Sequence, residues 1–594
     1  AYIEIGHTNI IFDLFNLVKG IQNPLRGLFC KYFLLKMIKD WLPDKSNEYE
    51  KPGASPDDSV KFILNNLEEM NGLWIRISIN NNEENPEEMS SLKERGQLKI
   101  LVGENITRLA SLNYINSDIY KNKVLPKIIE ILLDGKDELS QQYLLECVVH
   151  AFPDEFNIEN MNLLLDTCSK LQENVDVKMI FISLMGKLAK SLENCKGEKN
   201  ILDSAQKIFA TLKENIKKIM SDSKSGNINQ LVELQSAFLN FAIKCCPQEE
   251  KLDSVNNILS DCVGILSKNR TEIGNDTIKL IGKLLTVPLE SNMSIFLLYS
   301  FPEIMRYLDY ASRATLSLRI IDSLVNPSSE VILDSVQKVS SLMDFIRPLL
   351  EDSPDSEEFD QYQFEFEQAS VCKLPFVVKT DDPQTMYDIL NVFKNTFNKG
   401  GLKRQKFTFT SLVNAYITLS YKILYALCKA NGIEDLRKEK IHEDFVNYYK
   451  LKSLDSNEMF HKFMRRVYTQ INDILYIIEN DFSDVAVKLY LSLAIQVNDI
   501  KIDRNLYEEV CYNALSSAIQ IFNKGKINDD VKVDLINQII GTVLNISILS
   551  RDNLIAITSN IVQVSQNLLK KSDQCLAILN CTNLFYKTIV SDSN

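Results

Sequence analysis

The stretch Val124-Leu-Pro-Lys-Ile-Ile-Glu-Ile-Leu-Leu-Asp-Gly-Lys-Asp-Glu-Leu-Ser-Gln-Gln-Tyr-Leu-Leu-Glu-Cys-Val-Val-His-Ala-Phe-Pro153 decides the fold. In its first part Val124, Leu125, Ile128, Ile129 and Leu132 recur at the spacing of one face of an α-helix. That stripe stops at Asp134-Gly135, and a second opens at Leu139 and runs through Tyr143, Leu144, Cys147, Val148 and Ala151 until Pro153. Gly and Pro end helices, so the stretch predicts two helices joined by a connection of a few residues. A joint that short makes them antiparallel neighbours. A single hairpin cannot bury both sides of its apolar surface, so other hairpins must cover it.

Working outward, the rhythm repeats. Upstream, Val60, Ile63, Leu64, Leu67, Met70, Trp74 and Ile77 form one continuous apolar stripe. Downstream, Met161, Leu164, Leu165, Cys168 and Leu171 begin another pair, completed by Ile180, Leu184, Leu188 and Leu192. Hairpins at a cadence of about 40 residues match HEAT or armadillo arrays. No residue-level consensus is visible, which disfavours tetratricopeptide and ankyrin repeats. Composition agrees. Gly (19) and Pro (15) together make about 6% of the 594 residues, against roughly 12% in average usage. The expected fold is therefore all-α, a HEAT/armadillo-like α-solenoid of stacked antiparallel helical hairpins. Stacking also answers the length, since single cores stop growing near ~250–300 residues.

Polar segments at 45–59 and 80–96 predict loops between helices. The acidic segment 351–370 predicts a linker between an N-terminal half, 1–350, and a C-terminal half, 371–594; an acidic docking tail is the other reading. Phe407-Thr408-Phe409-Thr410 alternates as a strand would, yet it precedes the helical pattern Leu412, Val413, Tyr416 and Leu419, and is expected to lead into that helix.

Charge and chemistry exclude several classes. Lys+Arg 66 against Asp+Glu 79 gives −13, contrary to the dense basic face that a nucleic-acid binder needs. The 12 cysteines form no Cys-x-x-Cys, and only Cys245-Cys246 are adjacent. They are expected to be small apolar core residues in a reducing compartment. Glu4 and Asp13 interrupt the apolar start, so no signal peptide is expected. The uncharged runs 535–550 and 553–569 carry Asn, Gln and Ser and fall short of the ~20 apolar residues of a membrane span. Membrane contact is expected to be peripheral. The four histidines, His7, His150, His442 and His461, do not form a zinc-protease helix. Gly186 and Gly282 each begin Gly-Lys-Leu, without the Ser or Thr of a phosphate-binding loop, and Gly-x-Ser-x-Gly is absent. No catalysis, cofactor or metal is expected. The basic clusters Lys403-Arg404-Gln405-Lys406 and Arg465-Arg466 are either contacts for acidic lipid or an acidic partner, or solvated helix ends.

Several runs carry a family resemblance. Val18-Lys-Gly-Ile-Gln-Asn-Pro-Leu-Arg-Gly-Leu-Phe29 resembles a signature of the large scaffold subunit of retromer, the vacuolar protein sorting-associated protein 35 family. Similar runs follow in the family's order. They are Glu69-Met-Asn-Gly-Leu-Trp-Ile-Arg76, Leu98-Lys-Ile-Leu-Val-Gly-Glu-Asn-Ile-Thr-Arg-Leu109 and residues 142–156, then Tyr307-Leu-Asp-Tyr-Ala-Ser-Arg313, Asp381-Asp-Pro-Gln384 with Phe407-Thr408, and residues 568–574. The resemblance is dense before residue 160 and patchy after it.

This resemblance implies a curved cytosolic solenoid, peripheral on endosomal membranes, that scaffolds a coat and has no enzymatic activity. It implies an arrestin-like retromer subunit on the N-terminal half and a metallophosphoesterase-fold subunit on the C-terminal half. Sorting nexins and a Rab GTPase assist recruitment, and cargo tails are retrieved to the Golgi or plasma membrane. The partner-binding residues it suggests are Asn23, Pro24, Leu25, Arg26 and Gly27 on the arrestin side, and Tyr387, Phe407 and Phe409 on the phosphoesterase side. Pro24 and Gly27 are expected to shape a helix entry, while Arg26 is either an ion-pair partner or a contact. The family's Pro-Arg-Leu-Tyr-Leu motif would lie before Ala1, and further helices after Asn594. The alternative is another α-solenoid carrier, such as a nuclear transport receptor, distinguished by binding a Ran-type GTPase or a signal peptide.

Overall fold

The structure, a computed structural model, describes residues 7–40, 42–44, 55–79, 88–168, 170–172, 175–194, 199–222, 227–327, 331–352, 360–430, 456–499 and 504–590. Among these, every regular element is a helix. The chain forms two compact units, residues 1–288 with 298–307 and residues 289–297 with 308–594. That division lies upstream of the acidic segment at 351–370.

In the first unit each long helix packs on the next. Helix Pro24–Ile38 lies on Pro56–Ile79, which lies on Glu88–Ala110. Helix Glu88–Ala110 packs on Glu138–Ala151, that helix on Val177–Asn194, and the series continues through Ile228–Cys245 to Gln248–Lys268. The stripe that predicted the second of these helices is its core face: Val60, Ile63, Leu64, Leu67, Met70 and Trp74 are at most 6% exposed. Its start is fixed by a reciprocal cap. The Asp58 amide donates to Ser55 Oγ (3.3 Å) and the Ser55 amide donates to Asp58 Oδ2 (3.2 Å), with Pro56 in the first turn, where its missing N–H costs nothing. The helix thus begins inside the expected loop 45–59, and Glu88–Ala110 begins inside the expected loop 80–96. Residues 45–54 and 80–87 lie outside the described residues.

The hairpin at 124–153 forms as helices Leu125–Asp134 and Glu138–Ala151. Lys136 takes a left-handed backbone (φ 45°) to close the joint, and Asp137 accepts from the Ser140 amide (2.9 Å) to cap the second helix. The predicted stripe packs on the core at Tyr143, Leu144, Cys147, Val148 and Ala151 and departs from it only at its first residue. Leu139 is exposed, and Leu144, Leu145, Val148 and Val149 point inward. A helix turns about 100° per residue, so position 139 lies some 140° away from 144. A π-helical turn, Tyr120–Val124, precedes the hairpin. Pro126 has no amide hydrogen to donate into that turn, and the wider turn accommodates it.

The second unit repeats the scheme. Helix Ser483–Asp499 pairs with Arg504–Lys524 and also touches Asp529–Asn545, the next but one. Arg504–Lys524 in turn touches Arg551–Gln566, and Asp529–Asn545 touches Lys571–Val590. Contacts to the next helix and to the next but one are the pattern of a two-layered hairpin stack. Phe407–Thr410 is helical, within Leu402–Ala430. The second half of the acidic segment forms helix Gln361–Val371, started by Asp360, which accepts from the Tyr362 amide at 2.9 Å. That helix packs on Leu402–Ala430; residues 353–359 lie outside the described residues. Among the described residues no helix is long and apolar enough to cross a membrane.

The described cysteines are free thiols. Burial pushes Cys168, Cys262, Cys372 and Cys511 up to about 12, as expected for core residues. Cys30 and Cys575 depart from that reading because they are exposed.

Candidate partner-docking surfaces

Helix Pro24–Ile38 is built to lie close to its neighbour on one side. Asn23 caps it by accepting from the Arg26 amide (3.0 Å), and Pro24 occupies the first helical position. Gly27 is buried, and a Cβ there would sit 3.2 Å from Leu73 Cδ1, so glycine lets the helix approach Pro56–Ile79. Leu28, Lys31, Leu35 and Ile38 continue this inner face. Lys31 is an unusual member. It is 1% exposed, its Nζ has no hydrogen-bond partner among the described residues, and it lies 3.9 Å from the centre of the Phe15 ring. Burial lowers its pKa, with Glu69 opposing and Lys19 assisting. The neighbouring helix His7–Lys19 is tied down by Lys19 Nζ to Glu69 (2.7 Å) and by Phe15 edge-on to Phe62.

The outer face of the same helix is apolar too. Leu25, Phe29, Phe33 and Met37, four residues apart, are 43%, 40%, 56% and 74% exposed. Four-residue spacing places them in one row along the helix. Arg26 is exposed beside this row and makes no ion pair among the described residues. Of the predicted residues, Leu25 and Arg26 are therefore on the surface, Asn23 and Pro24 set the helix start, and Gly27 packs inward. Phe33 and Met37 were missed. Their signal was present, because a helix apolar on two faces has more than a core to cover.

The three aromatic residues predicted in the second unit are placed differently. Tyr387 (5% exposed) packs edge-on against Tyr416 and Phe463, under the Arg466 guanidinium at 4.6 Å. Phe409 is 0% exposed. Phe407 is half-buried and meets Phe364 edge-on. The structure does not gather them on a surface. Their helices carry neighbours on both sides, Pro383–Phe397 touching both Val336–Phe345 and Leu402–Ala430. Phe376 and Tyr476 are exposed in this unit.

The basic cluster at 403–406 divides in the same way. Arg404 is buried; its Nε donates to the Leu349 carbonyl (3.2 Å) and its Nη1 binds Asp352. It holds the end of one helix and is no surface cation. The Arg466 side chain donates to Gln384 (3.2 Å).

Several of the other runs that carried the resemblance fix joints between helices or helix starts. Trp74 Nε1 donates to the Arg95 carbonyl (3.2 Å), Asn66 Nδ2 to Asn105 (2.8 Å) and Ser140 Oγ to Asn71 (2.6 Å). Arg95 pairs with Asp137 at the hairpin joint. Asp382 accepts from the Thr385 amide (2.9 Å), starting helix Pro383–Phe397. The buried bonds from Trp74, Asn66 and Ser140 join separate helices and so favour one register of the stack. Among the described residues no three His, Cys, Asp or Glu side chains gather as a metal site.

Comparison with known proteins matches the sequence to a family. The profile for Vacuolar protein sorting-associated protein 35 aligns with residues 2–594. Vacuolar protein sorting-associated protein 35A of Arabidopsis thaliana is 30% identical over 589 residues, covering 98% of this chain and 70% of that protein. The Dictyostelium discoideum protein of the same name without the letter is 28% identical, over 97% of this chain and 70% of its own length. The Schizosaccharomyces pombe counterpart is 24% identical, over 99% and 70%.

Proposed function

The chain belongs to the vacuolar protein sorting-associated protein 35 family, and from that premise we propose that it is the non-enzymatic scaffold subunit of retromer. In this role it holds partner subunits on its helices while transmembrane cargo is retrieved from endosomes to the Golgi or plasma membrane. The family match along residues 2–594 carries the reading. The architecture supports it physically, because stacked hairpins present long surfaces to other proteins without needing a cofactor.

The arrestin-like subunit docks on the N-terminal half, 1–350, against Leu25, Phe29, Phe33 and Met37. An exposed apolar row on a fixed helix is the kind of surface that a protein partner covers. The metallophosphoesterase-fold subunit docks on the C-terminal half, 371–594, through exposed side chains such as Phe376 and Tyr476, with Tyr387, Phe407 and Phe409 supporting the helices beneath. Sorting nexins, a Rab GTPase and cargo tails complete the assembly, which is peripheral on the cytosolic side of endosomes.

The test mixes the purified chain with both subunits from the same organism and weighs the product by light scattering after size exclusion. A single species with one copy of each is expected. Elution of the chain alone, with both partners folded, would overturn the reading.

A further inference from the structure

We propose that Cys245 and Cys246 form a peroxide-sensitive thiol pair, in which Cys246 reacts first and Cys245 resolves it to a disulfide between adjacent residues. They are the only neighbouring cysteines in the sequence. They close helix Ile228–Cys245, immediately before Pro247 and helix Gln248–Lys268. Their sulfurs lie 4.0 Å apart. Cys245 is 1% exposed, whereas Cys246 is only half-buried. That asymmetry assigns the roles.

The surroundings favour the same order. The hydrogen bond with the Cys245 thiol lowers the pKa of Cys246; burial opposes this, and the Ser254 side chain and the Lys213 charge assist, against Glu250. The hydrogen bond with Cys246 and burial push the Cys245 thiol up. The thiolate is the nucleophile of peroxide chemistry, so the thiol that reacts first is the one more easily deprotonated and more accessible.

With hydrogen peroxide the steps balance. The Cys246 sulfur attacks one peroxide oxygen, the O–O bond breaks, and the departing hydroxide takes a proton to become water. Cys246 is now a sulfenic acid. The Cys245 sulfur attacks it, the S–S bond forms and the S–O bond breaks, and hydroxide leaves with the Cys245 proton as a second water. The two sulfurs have lost two electrons and the peroxide has gained them.

Oxidation acts on the joint itself. A disulfide brings the sulfurs to about 2.05 Å, which twists the peptide between them. The Cys246 amide donates to the Ala242 carbonyl (3.0 Å), the last bond of that helix. Closing the disulfide strains this bond and re-aims the turn into the next helix.

The experiment treats the full chain with graded hydrogen peroxide, alkylates the remaining thiols and digests with trypsin. Cleavage after Lys244 and Lys251 isolates both sulfurs in one peptide, residues 245–251. That peptide should lose two hydrogens at a dose at least about tenfold below the one that modifies the exposed Cys30 and Cys575. In Cys245→Ser a sulfenic acid should persist on Cys246 and be captured by dimedone, while in Cys246→Ser the remaining Cys245 should stay reduced. The proposal is overturned if peptide 245–251 remains a dithiol while Cys30 and Cys575 oxidise, or if Cys245→Ser yields no capturable sulfenic acid.

Discussion

Helices Pro24–Ile38 and Pro383–Phe397 begin alike and end in opposite circumstances. Each has an Asx residue as its cap and a proline in its first position: Asn23 accepts from the Arg26 amide at 3.0 Å, and Asp382 from the Thr385 amide at 2.9 Å. Both carry aromatic residues along their length. In the first helix Phe29 and Phe33 face solvent; in the second Tyr387, Phe393 and Phe397 are buried. The sequence chemistry of the start is the same, so the difference lies in the neighbours. Pro383–Phe397 buries its aromatic residues against its neighbours, whereas Pro24–Ile38, although it touches His7–Lys19, Pro56–Ile79 and Glu88–Ala110, leaves one apolar row outside those contacts. The aromatic residue type alone does not separate core from docking surface.

The sharpest way to break this comparison is to truncate one aromatic residue of each kind. Phe393→Ala should cost about 3–5 kcal/mol of unfolding free energy, because this 0%-exposed side chain would leave a cavity in a packed stack. Phe33→Ala should change stability by no more than about 0.5 kcal/mol. Chemical denaturation of the two variants measures both. Equal losses would mean that the row on Pro24–Ile38 is packed.

Lys31 sharpens the account of the inner face. An ammonium buried without a hydrogen-bond partner is costly, and the Phe15 ring offsets only part of that. Lys31→Met should therefore raise stability by about 1–3 kcal/mol. The pH dependence has a definite sign. The lysine pKa is lowered in the folded chain, so between that value and the ordinary 10.5 the unfolded chain binds the extra proton. Stability should then rise with pH as it climbs toward 10.5, and this component of the rise should vanish in Lys31→Met. A variant less stable than the parent near neutral pH would show that the cation over Phe15 is favourable.

The smallest effect tests what the two helices share. Asn23→Ala and Asp382→Ala should each cost about 1 kcal/mol, the usual worth of an N-cap. Hydrogen exchange in the first turn of each helix should report both losses. A loss confined to one helix would mean that their starts are held differently.

Much of the fold was legible because helical spacing reports burial directly when one stripe dominates. Val60 to Trp74 is such a case, and the Asp134-Gly135 break located a joint. Polar content misled at 88–96, where a helix begins with its polar residues before its apolar stripe develops. At Leu139 the first turn carries an exposed apolar residue, so the stripe was counted one position too early, while Tyr143, Leu144, Cys147, Val148 and Ala151 do meet the core. The exposed apolar row was half legible. Leu25 and Arg26 came from the resemblance, and Phe33 and Met37 lie one and two turns beyond the run that carried it. The burial of Tyr387 and Phe409 was illegible locally, because it is produced by helices distant in sequence. Tyr387 packs on Phe463, and Ser411, on the same helix as Phe409, bonds the Cys372 carbonyl.

If the exposed row on Pro24–Ile38 holds a partner subunit, charges placed in it must abolish that binding without unfolding the chain. Isothermal titration of the arrestin-like subunit into the parent chain and into the double variant Phe29→Asp, Phe33→Asp tests it most directly. The predicted result is binding by the parent and at least about a hundredfold weakening in the variant, with the thermal unfolding of the two chains matched. Unchanged affinity in a folded double variant would contradict the account.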